Sequence, residues 1–452
     1  MDRSFLLYGR MDLVFNAVVI SVLLMVVLSL LRVNVVVAIL LAAITAGLIS
    51  GLSLTDSVEL LVDGMGGQAD TALSYILLGA FAVMIGYSGI TGFLLRHLIN
   101  VLKGKKAFLL FAIAGVASLS QNVVPVHIAF IPILIPPLLS LFDSMKLDRR
   151  AVATSLTFGL KAPYMMIPVG FGLIFHGVIQ DEMIENGMEI SLGQIPLAML
   201  LPGFGMFLGL LVAILITYRK DREPSAQLGA HQGAEEESAA AKEEETTFSI
   251  YHIFTIVAIV VALSVQLITD SLILGALTGI ILMVVFRVIP FKQGEHVVND
   301  GIKMMGMIAF VMLVASGFAS VLQETGAVDE LVEASTAVIG DNQFIGAMAM
   351  LIVGLIITMG IGSSFGTIPI LAALFVPLCS VLGFSPMATA ALIGTAGAVG
   401  DAGSPASDST LGPTAGLNAD GRHHHVWDTC VPTFLHFNIP LLIFGLITAM
   451  IL

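Results

Sequence analysis

The stretch GDAGSPASDST (400–410) follows an apolar, helix-like run from Pro386 to Val399. It interrupts that run with two carboxylates (Asp401 and Asp408), four hydroxyls and a proline. An unwound, ionisable segment at bilayer depth is tolerated only where it lines a cavity or pathway enclosed by protein. The surroundings read as bilayer: of 452 residues, 57% are hydrophobic and 11% charged, with a mean hydropathy of +1.00. Apolar windows of about 20 residues, enough to cross a hydrocarbon core of ~30 Å, recur along nearly the whole chain.

The expected spans are 13–31, 33–53, 72–95, 151–178, 194–218, 249–269, 271–289, 304–322, 386–420 and 430–451. The first is too long for a signal peptide and lacks a small-residue cleavage site, so it reads as retained. Two further apolar stretches, 107–142 and 343–383, are too long for one span, and each is interrupted near its middle by Gly, Ser and Pro. Positive charge flanks 107–142 on both sides, with Arg96, Lys103, Lys105 and Lys106 before it and Lys146, Arg149 and Arg150 after it. By the positive-inside rule it enters and returns on one side, as a re-entrant hairpin. Acidic 179–193 falls outside, and the linker with Arg219, Lys220 and Arg222 falls inside. The second hairpin then opens from the outside, and both termini lie outside a bacterial cytoplasmic membrane. Arg3 and Arg10 fit that orientation poorly.

Much of the net charge of −13 sits in the segment 219–247, which contains AEEESAAAKEEETT. Such a composition buries too little apolar surface to order itself, and it reads as a linker between two halves or as a regulatory element. The halves carry matched residues: Val83-Met84 and Ser88-Gly89 with Val311-Met312 and Ser316-Gly317, Asp63-Gly64 with Asp300-Gly301, Pro137 and Ser140 with Pro377 and Ser380, and Ala151, Ala153 and Pro168 with Ala388, Ala390 and Pro405. Their shared order at offsets of 228 to 240 implies an internal repeat. With the charge pattern, it is an inverted repeat. The expected fold is all-α and polytopic: residues 1–218 and 248–452 each supply five spans, one of them a broken helix, and one re-entrant hairpin.

Four elements could carry chemistry. The hairpin tips SLSQNVVP (118–125) and GIGSSFGTIP (360–369) place small, amide and hydroxyl residues before a proline, which suits the start of a returning half-helix. The N–H groups of such a start favour an anion. Ser120, Gln121 and Asn122 in the first tip, and Ser363, Ser364 and Thr367 in the second, are the candidate ligands. The broken helix 151–178 is interrupted at TFGLKAPYMMIP (157–168), where Lys161 sits in apolar sequence. An intramembrane lysine marks function by default, unless it snorkels to the interface. In the other broken helix, Asp401 and Asp408 could bind Na⁺ or accept a proton, with Ser404 and Ser407 beside them, and Asp408 could instead cap the following half-helix. An offset of 237 pairs Lys161 with Ala398, three residues before Asp401. The first half thus holds an ammonium where the second holds a cation.

The histidines of GRHHHVWDTC (421–430) lack the spacing that converges on one metal, and the segment reads as a cytoplasmic loop. His127, His436 and Asn438 are further polar positions that could reach a cavity. The two cysteines, Cys379 and Cys430, suggest neither a disulfide framework nor a metal site. No Walker-type loop, HExxH or Gly-x-Ser-x-Gly motif is present, so the chain does not read as an ATPase or hydrolase, and no cofactor is expected.

SSFGT (363–367), followed by GDAGSPASDST, resembles the NhaC-type sodium–proton antiporter family. WDTCVPTFLHFNIP (427–440) is similar to a bacterial subgroup of that family, some members of which are suspected of carrying amino acids such as histidine. The resemblance implies that Ser363, Ser364, Thr367, Asp401, Ser404, Ser407 and Asp408 line an ion or substrate site. It implies Na⁺ and/or H⁺ as coupling ion, with antiport as the leading activity and uptake of a small amino or carboxylic acid as the alternative. The expected partners are the lipid bilayer and that small ion or acid, with no nucleic acid; a homodimer is left open.

Overall fold

The computed structural model describes residues 16–31, 33–90, 105–122, 131, 135–222, 249–269, 271–328, 330–331, 342–405 and 407–452. The tip residues 123–130 with His127, most of the linker and the first 15 residues lie outside that set, as does the side chain of Ser120.

All regular structure among the described residues is helical. In chain order the helices are α1 (Ala17–Leu30), α2 (Val35–Ile49), α3 (Leu54–Gly64), α4 (Ala69–Tyr87), α5 (Lys106–Asn122), α6 (Leu139–Ser144), α7 (Arg149–Met166), α8 (Phe171–Glu185) and α9 (Gln194–Val212). There follow α10 (Ile250–Thr269), α11 (Leu272–Val285), α12 (Gly294–Glu324), α13 (Gln343–Ile361), α14 (Ser364–Leu382), α15 (Pro386–Ala398), α16 (Asp408–Leu417) and α17 (His425–Ile451). With no water in a hydrocarbon core, helices satisfy every backbone group within the segment. Helices α9 with its π-helical extension to Thr217, α14 and α17 are each long and apolar enough to cross a bilayer. The outward face of α9 is consistent with lipid contact, with Leu197, Leu200 and Phe204 about half exposed.

The segment after the second span, not assigned from the sequence, is helical: Ser53 and Asp56 form a reciprocal capping box that starts α3. Three sequence expectations need correction. The span expected at 304–322 is part of the 31-residue α12. The first broken helix is interrupted at 167–170, later than 157–168, so Lys161 and Pro163 lie within α7. The proline after Ile167 drives that residue out of the helical region (φ −109°, ψ 114°), and Gly170 takes φ +60° before α8 departs at 51°. Finally, WDTC (427–430) is not a loop. His424 caps the Trp427 N–H, and α17 starts at His425 through two π-helical segments, 425–430 and 434–438. Pro432 and Pro440 withhold donors that a regular α-register would need, and wider turns accommodate this.

Small residues set the close approaches. Helix α4 runs antiparallel to α12: Tyr87 bonds Gln293 near one end, and Leu61 and Gly64 of the preceding α3 lie against Gly317 near the other. A Cβ on Gly301 would stand 2.3 Å from the Ala80 Cα, and one on Gly317 would stand 2.3 Å from the Leu61 carbonyl. At the base of each long apolar stretch the two ends meet. Lys106 Nζ donates to the Lys146 carbonyl at 3.3 Å, and Gln343 Nε2 donates to the Leu382 carbonyl at 3.0 Å. Another polar network fastens α7 to α16. Arg149, 6% exposed, donates to Asp420, Asp143 and the Leu417 carbonyl, which ends α16.

Candidate ion-binding site

The unwound break in the second broken helix lies against the intact part of α7. Helix α15 stops at Ala398, Val399 is extended and Gly400 takes φ +88°. A Cβ there would lie 2.7 Å from the Leu355 carbonyl, so only glycine lets the chain turn this tightly against α13. One 3₁₀ turn (Asp401–Gly403) follows, then Ser407 caps α16 by accepting the Ser409 N–H. Facing it, Gly362 ends α13, and Ser363 caps α14 by accepting the Gly366 N–H. Asp401 therefore lies between the N-terminal ends of two half-helices, α14 and α16, where positive dipole favours a carboxylate.

Asp401 is fully buried. One carboxylate oxygen, Oδ2, accepts from the Ser364 N–H at 2.9 Å, from the Ser364 hydroxyl and from the Lys161 ammonium. The other, Oδ1, accepts from the Ser407 hydroxyl. Lys161, 8% exposed, projects from α7 near its C-terminal end, and its Nζ stands 5.6 Å from the centre of the Tyr164 ring. Tyr164 donates through its hydroxyl to Ser364 Oγ at 2.8 Å. Ser409 Oγ lies 2.9 Å from Ser407 Oγ and donates to the Asp401 carbonyl, while Thr157 donates to the Ser409 carbonyl at 2.8 Å. The single acid is thus fully engaged, with a monovalent cation, the ammonium, as its counter-charge.

Lys161, Ser364, Asp401 and Ser407 converge, across 240 residues of sequence between the lysine and the acid. The lysine does not sit in a separate equivalent site opposite Ala398; it reaches Asp401 itself. The start of α14 likewise does not stand open to an anion, because Asp401 occupies it. The other candidates stand around this centre. Ser404 ties the break to the Met359 carbonyl at 2.9 Å, and Thr367 turns its hydroxyl to the Ser363 and Ser364 carbonyls at 3.0 Å. Asp408, partly buried, opens α16 next to the cap Ser407, and its charge adds to the field at Lys161. Asn122, with buried Gln121 beside it, lies at the other break, where its amide donates to the Ile167 and Val169 carbonyls at 3.1 and 3.0 Å.

Sequence reading missed Tyr164, Thr157 and Ser409. Tyr164 had a signal, since i and i+3 share a helix face and it follows Lys161 by three. Of the two polar positions in the last span, His436 is bonded to Thr217 and the Pro432 carbonyl. Asn438 is wholly buried, and among the described residues neither its amide nitrogen nor its oxygen has a hydrogen-bond partner. It shares a face of α17 with Phe434 and Gly445, which pack on Gly403 and Thr395. That places it level with the start of the 400–410 break.

Comparison with known proteins bears on the same region. A model of the Na⁺/H⁺ antiporter family matches residues 155–446, and a second, described as a Na⁺-H⁺ antiporter family, matches 16–102. The chain is 53% identical to an uncharacterized membrane protein of Vibrio parahaemolyticus, over 97% of its own length and all of the relative's. It is 49% identical to a Bacillus subtilis protein named "Putative amino acid transporter YuiF", with coverage of 97% and 100%. Among solved structures it resembles the YdaH transporter of Alcanivorax borkumensis (TM-score 0.62, 16% identity, 86% of each chain). It also resembles MtrF of Neisseria gonorrhoeae, described with a class of antimetabolite efflux pumps (TM-score 0.59, 15% identity, 87% and 84%). The fold is that of membrane transporters, and the chain belongs to the Na⁺/H⁺ antiporter family.

Proposed function

We propose that this secondary transporter exchanges Na⁺ for H⁺ at Asp401, with Lys161 as the group that carries the exchanged proton. The observation behind this is the buried Lys161–Asp401 ion pair between α7 and the 400–410 break. A buried carboxylate needs one positive charge, and the ammonium supplies it. An arriving Na⁺ supplies the same charge and competes for the same oxygens. Once displaced, the ammonium loses its ion-pair partner in a buried site, where an unpaired charge is costly, and it gives up its proton. The proton it gives up leaves as the Na⁺ enters, so the site's net charge is unchanged and the minimal exchange is one for one. Ser364 and Ser407 hold the carboxylate in place through both states. Asp408, beside them, is a second carboxylate through which Na⁺ could approach.

The exchange requires alternating access. In this reading residues 1–218 and 248–452 form inverted halves in a bacterial plasma membrane, each with a hairpin re-entering from its own side. The joined hairpin bases at Lys106–Lys146 and Gln343–Leu382, and the antiparallel packing of α4 on α12, support that arrangement.

A second reading is ion-coupled uptake of a small amino acid, favoured by the Bacillus subtilis relative's name. The engagement of the α14 N-terminus by Asp401 weighs against the form in which both hairpins hold the substrate carboxylate. Flux in proteoliposomes separates the two. Antiport predicts that an imposed Na⁺ gradient moves protons with no organic substrate present. Na⁺-dependent uptake of one labelled amino acid, with no proton movement in its absence, would overturn antiport.

A further inference from the structure

A basic cavity that the ion site does not use lies at the end of α9. With its extension this helix runs 24 residues, Gln194–Thr217. About 20 residues cross a hydrocarbon core of ~30 Å, so Tyr218, Arg219 and Lys220 emerge at the level of the lipid headgroups. There they meet the start of α5 and the turn between α6 and α7. Together these segments enclose about 150 Å³, lined by the cations Lys106, Lys146, Arg219 and Lys220. Asp148 is the only carboxylate among the described lining residues, and Leu110, Ile214 and Leu215 supply an apolar wall.

The Lys146 carbonyl ties the three segments together. Lys106 Nζ donates to it at 3.3 Å from α5, and the Arg222 N–H donates to it at 3.2 Å from beyond α9. Lys146 itself takes φ +48° where α6 ends: its N–H donates to the Asp143 carbonyl, and the Leu147 N–H donates to the Phe142 carbonyl. Glycine is the usual residue in such a helix end. A lysine there costs stability, because its Cβ crowds the left-handed backbone, and it adds a charge to the cavity. The carboxylates nearby leave that charge largely uncompensated. Asp148 caps α7 and is bonded to Arg150 and Arg222. Asp221 pairs with Lys106 at 2.6 Å, but it is mostly exposed and holds weakly. Arg219 and Lys220 are exposed and have no carboxylate partner among the described residues.

We propose that this cavity binds the phosphate group of an anionic phospholipid. The excess of positive charge favours an anion, as does the first turn of α5, where Lys106 and Ala107 line the cavity. The volume is below the ~300 Å³ at which pockets for organic ligands begin, so it suits a headgroup phosphate whose acyl chains stay outside. A surface for those chains adjoins it. Leu215 lines the cavity and is 47% exposed, and Val212, Ile216 and Phe108, close to the lining residues in sequence, are exposed as well. A free phosphate would gain nothing from that apolar surface, whereas a lipid uses both parts.

The test is thermal unfolding of the full-length protein in detergent with added phosphatidylglycerol, with phosphatidylcholine of the same chains, or with inorganic phosphate. Phosphatidylglycerol should raise the melting temperature with increasing concentration, and the other two should not. Without lipid, the double variant Arg219→Gln with Lys220→Gln should melt with wild type. A basic side chain near an anionic membrane surface is worth about fivefold in affinity, so this variant should bind phosphatidylglycerol ~30-fold more weakly. Lys146→Gly separates binding from folding: its lipid-free melting temperature should hold or rise, because the left-handed turn is relieved, while its response to phosphatidylglycerol weakens. An equal shift with phosphatidylcholine, or an undiminished phosphatidylglycerol shift in the double variant, would overturn the proposal. So would an equal shift with inorganic phosphate, which would make the ligand a free anion. A phosphatidylglycerol shift seen only after the glutamates of AEEESAAAKEEETT are changed to glutamine would also overturn it, because the occupant would then be the chain's own acidic segment.

Discussion

Lys161→Ala probes the ion site most sharply, because the account assigns the ammonium two opposing roles. In the ion-free protein it neutralises a wholly buried carboxylate, and removing one partner of a buried pair costs about 3–5 kcal/mol. The Ser364 N–H and the two serine hydroxyls remain on Asp401, but they supply no net charge. In the presence of Na⁺ the same ammonium is a competitor. Its removal returns to Na⁺ binding the energy otherwise needed to displace it, and at ~1.4 kcal/mol per tenfold that is between ~10²-fold and ~4 × 10³-fold tighter binding. The variant should therefore melt well below wild type in choline chloride and recover much of the difference in NaCl. A concentration of 100 times the dissociation constant restores ~2.7 kcal/mol. Its Na⁺ affinity should also lose the pH dependence that proton competition imposes. The assay is thermal unfolding of detergent-purified protein across a Na⁺ series at several pH values. A variant whose Na⁺ and pH responses match wild type would refute the competition.

Three further outcomes follow from particular residues. Asn438→Leu replaces a buried amide whose two polar atoms have no hydrogen-bond partner among the described residues, so it should raise the melting temperature, by an amount equivalent to ~1–3 kcal/mol; a lower melting temperature would show that the amide is satisfied. Gly400→Ala forces a Cβ against the Leu355 carbonyl at positive φ and should cost at least ~1–3 kcal/mol together with loss of exchange, measured as melting temperature and flux; wild-type values in both would remove the constraint argued for this turn. For Asp420, burial pushes the carboxyl up, but the hydrogen bonds and charge of Arg149, with Arg422, outweigh it and hold the group below its ordinary value. A depressed carboxylate stabilises above its unfolded value of about 3.9, and that contribution is lost as pH falls through the lower folded value. Asp420→Asn should therefore lower stability at neutral pH and flatten the acid limb of a melting-temperature profile, and an unchanged acid limb would contradict the role of this pair.

The break at 400–410 and the turn at 362 were legible because glycine, serine and proline interrupt apolar sequence in a way a lipid-exposed helix does not tolerate. Lys161 was legible as costly, but its partner was not. A contact across 240 residues leaves no local pattern, and the repeat offset of 237 pointed three residues short of Asp401. The position of the first break was misplaced because two prolines, Pro163 and Pro168, compete for it. The first is absorbed inside α7, and the second ends the helix by crowding Ile167. The start of α17 was hidden by its π-helical turns, whose apolar period matches neither a regular helix nor a loop. Asn438 carried no more signal than its neighbour His436, because only packing decides which of the two finds partners.

The most direct test of the central claim is proton release on Na⁺ binding to the purified, unbuffered protein, followed with a pH-sensitive dye. The account predicts close to one proton released per chain in wild type, and none in Lys161→Ala or Asp401→Asn. Na⁺ binding without proton release in wild type, or equal release in Lys161→Ala, would contradict it.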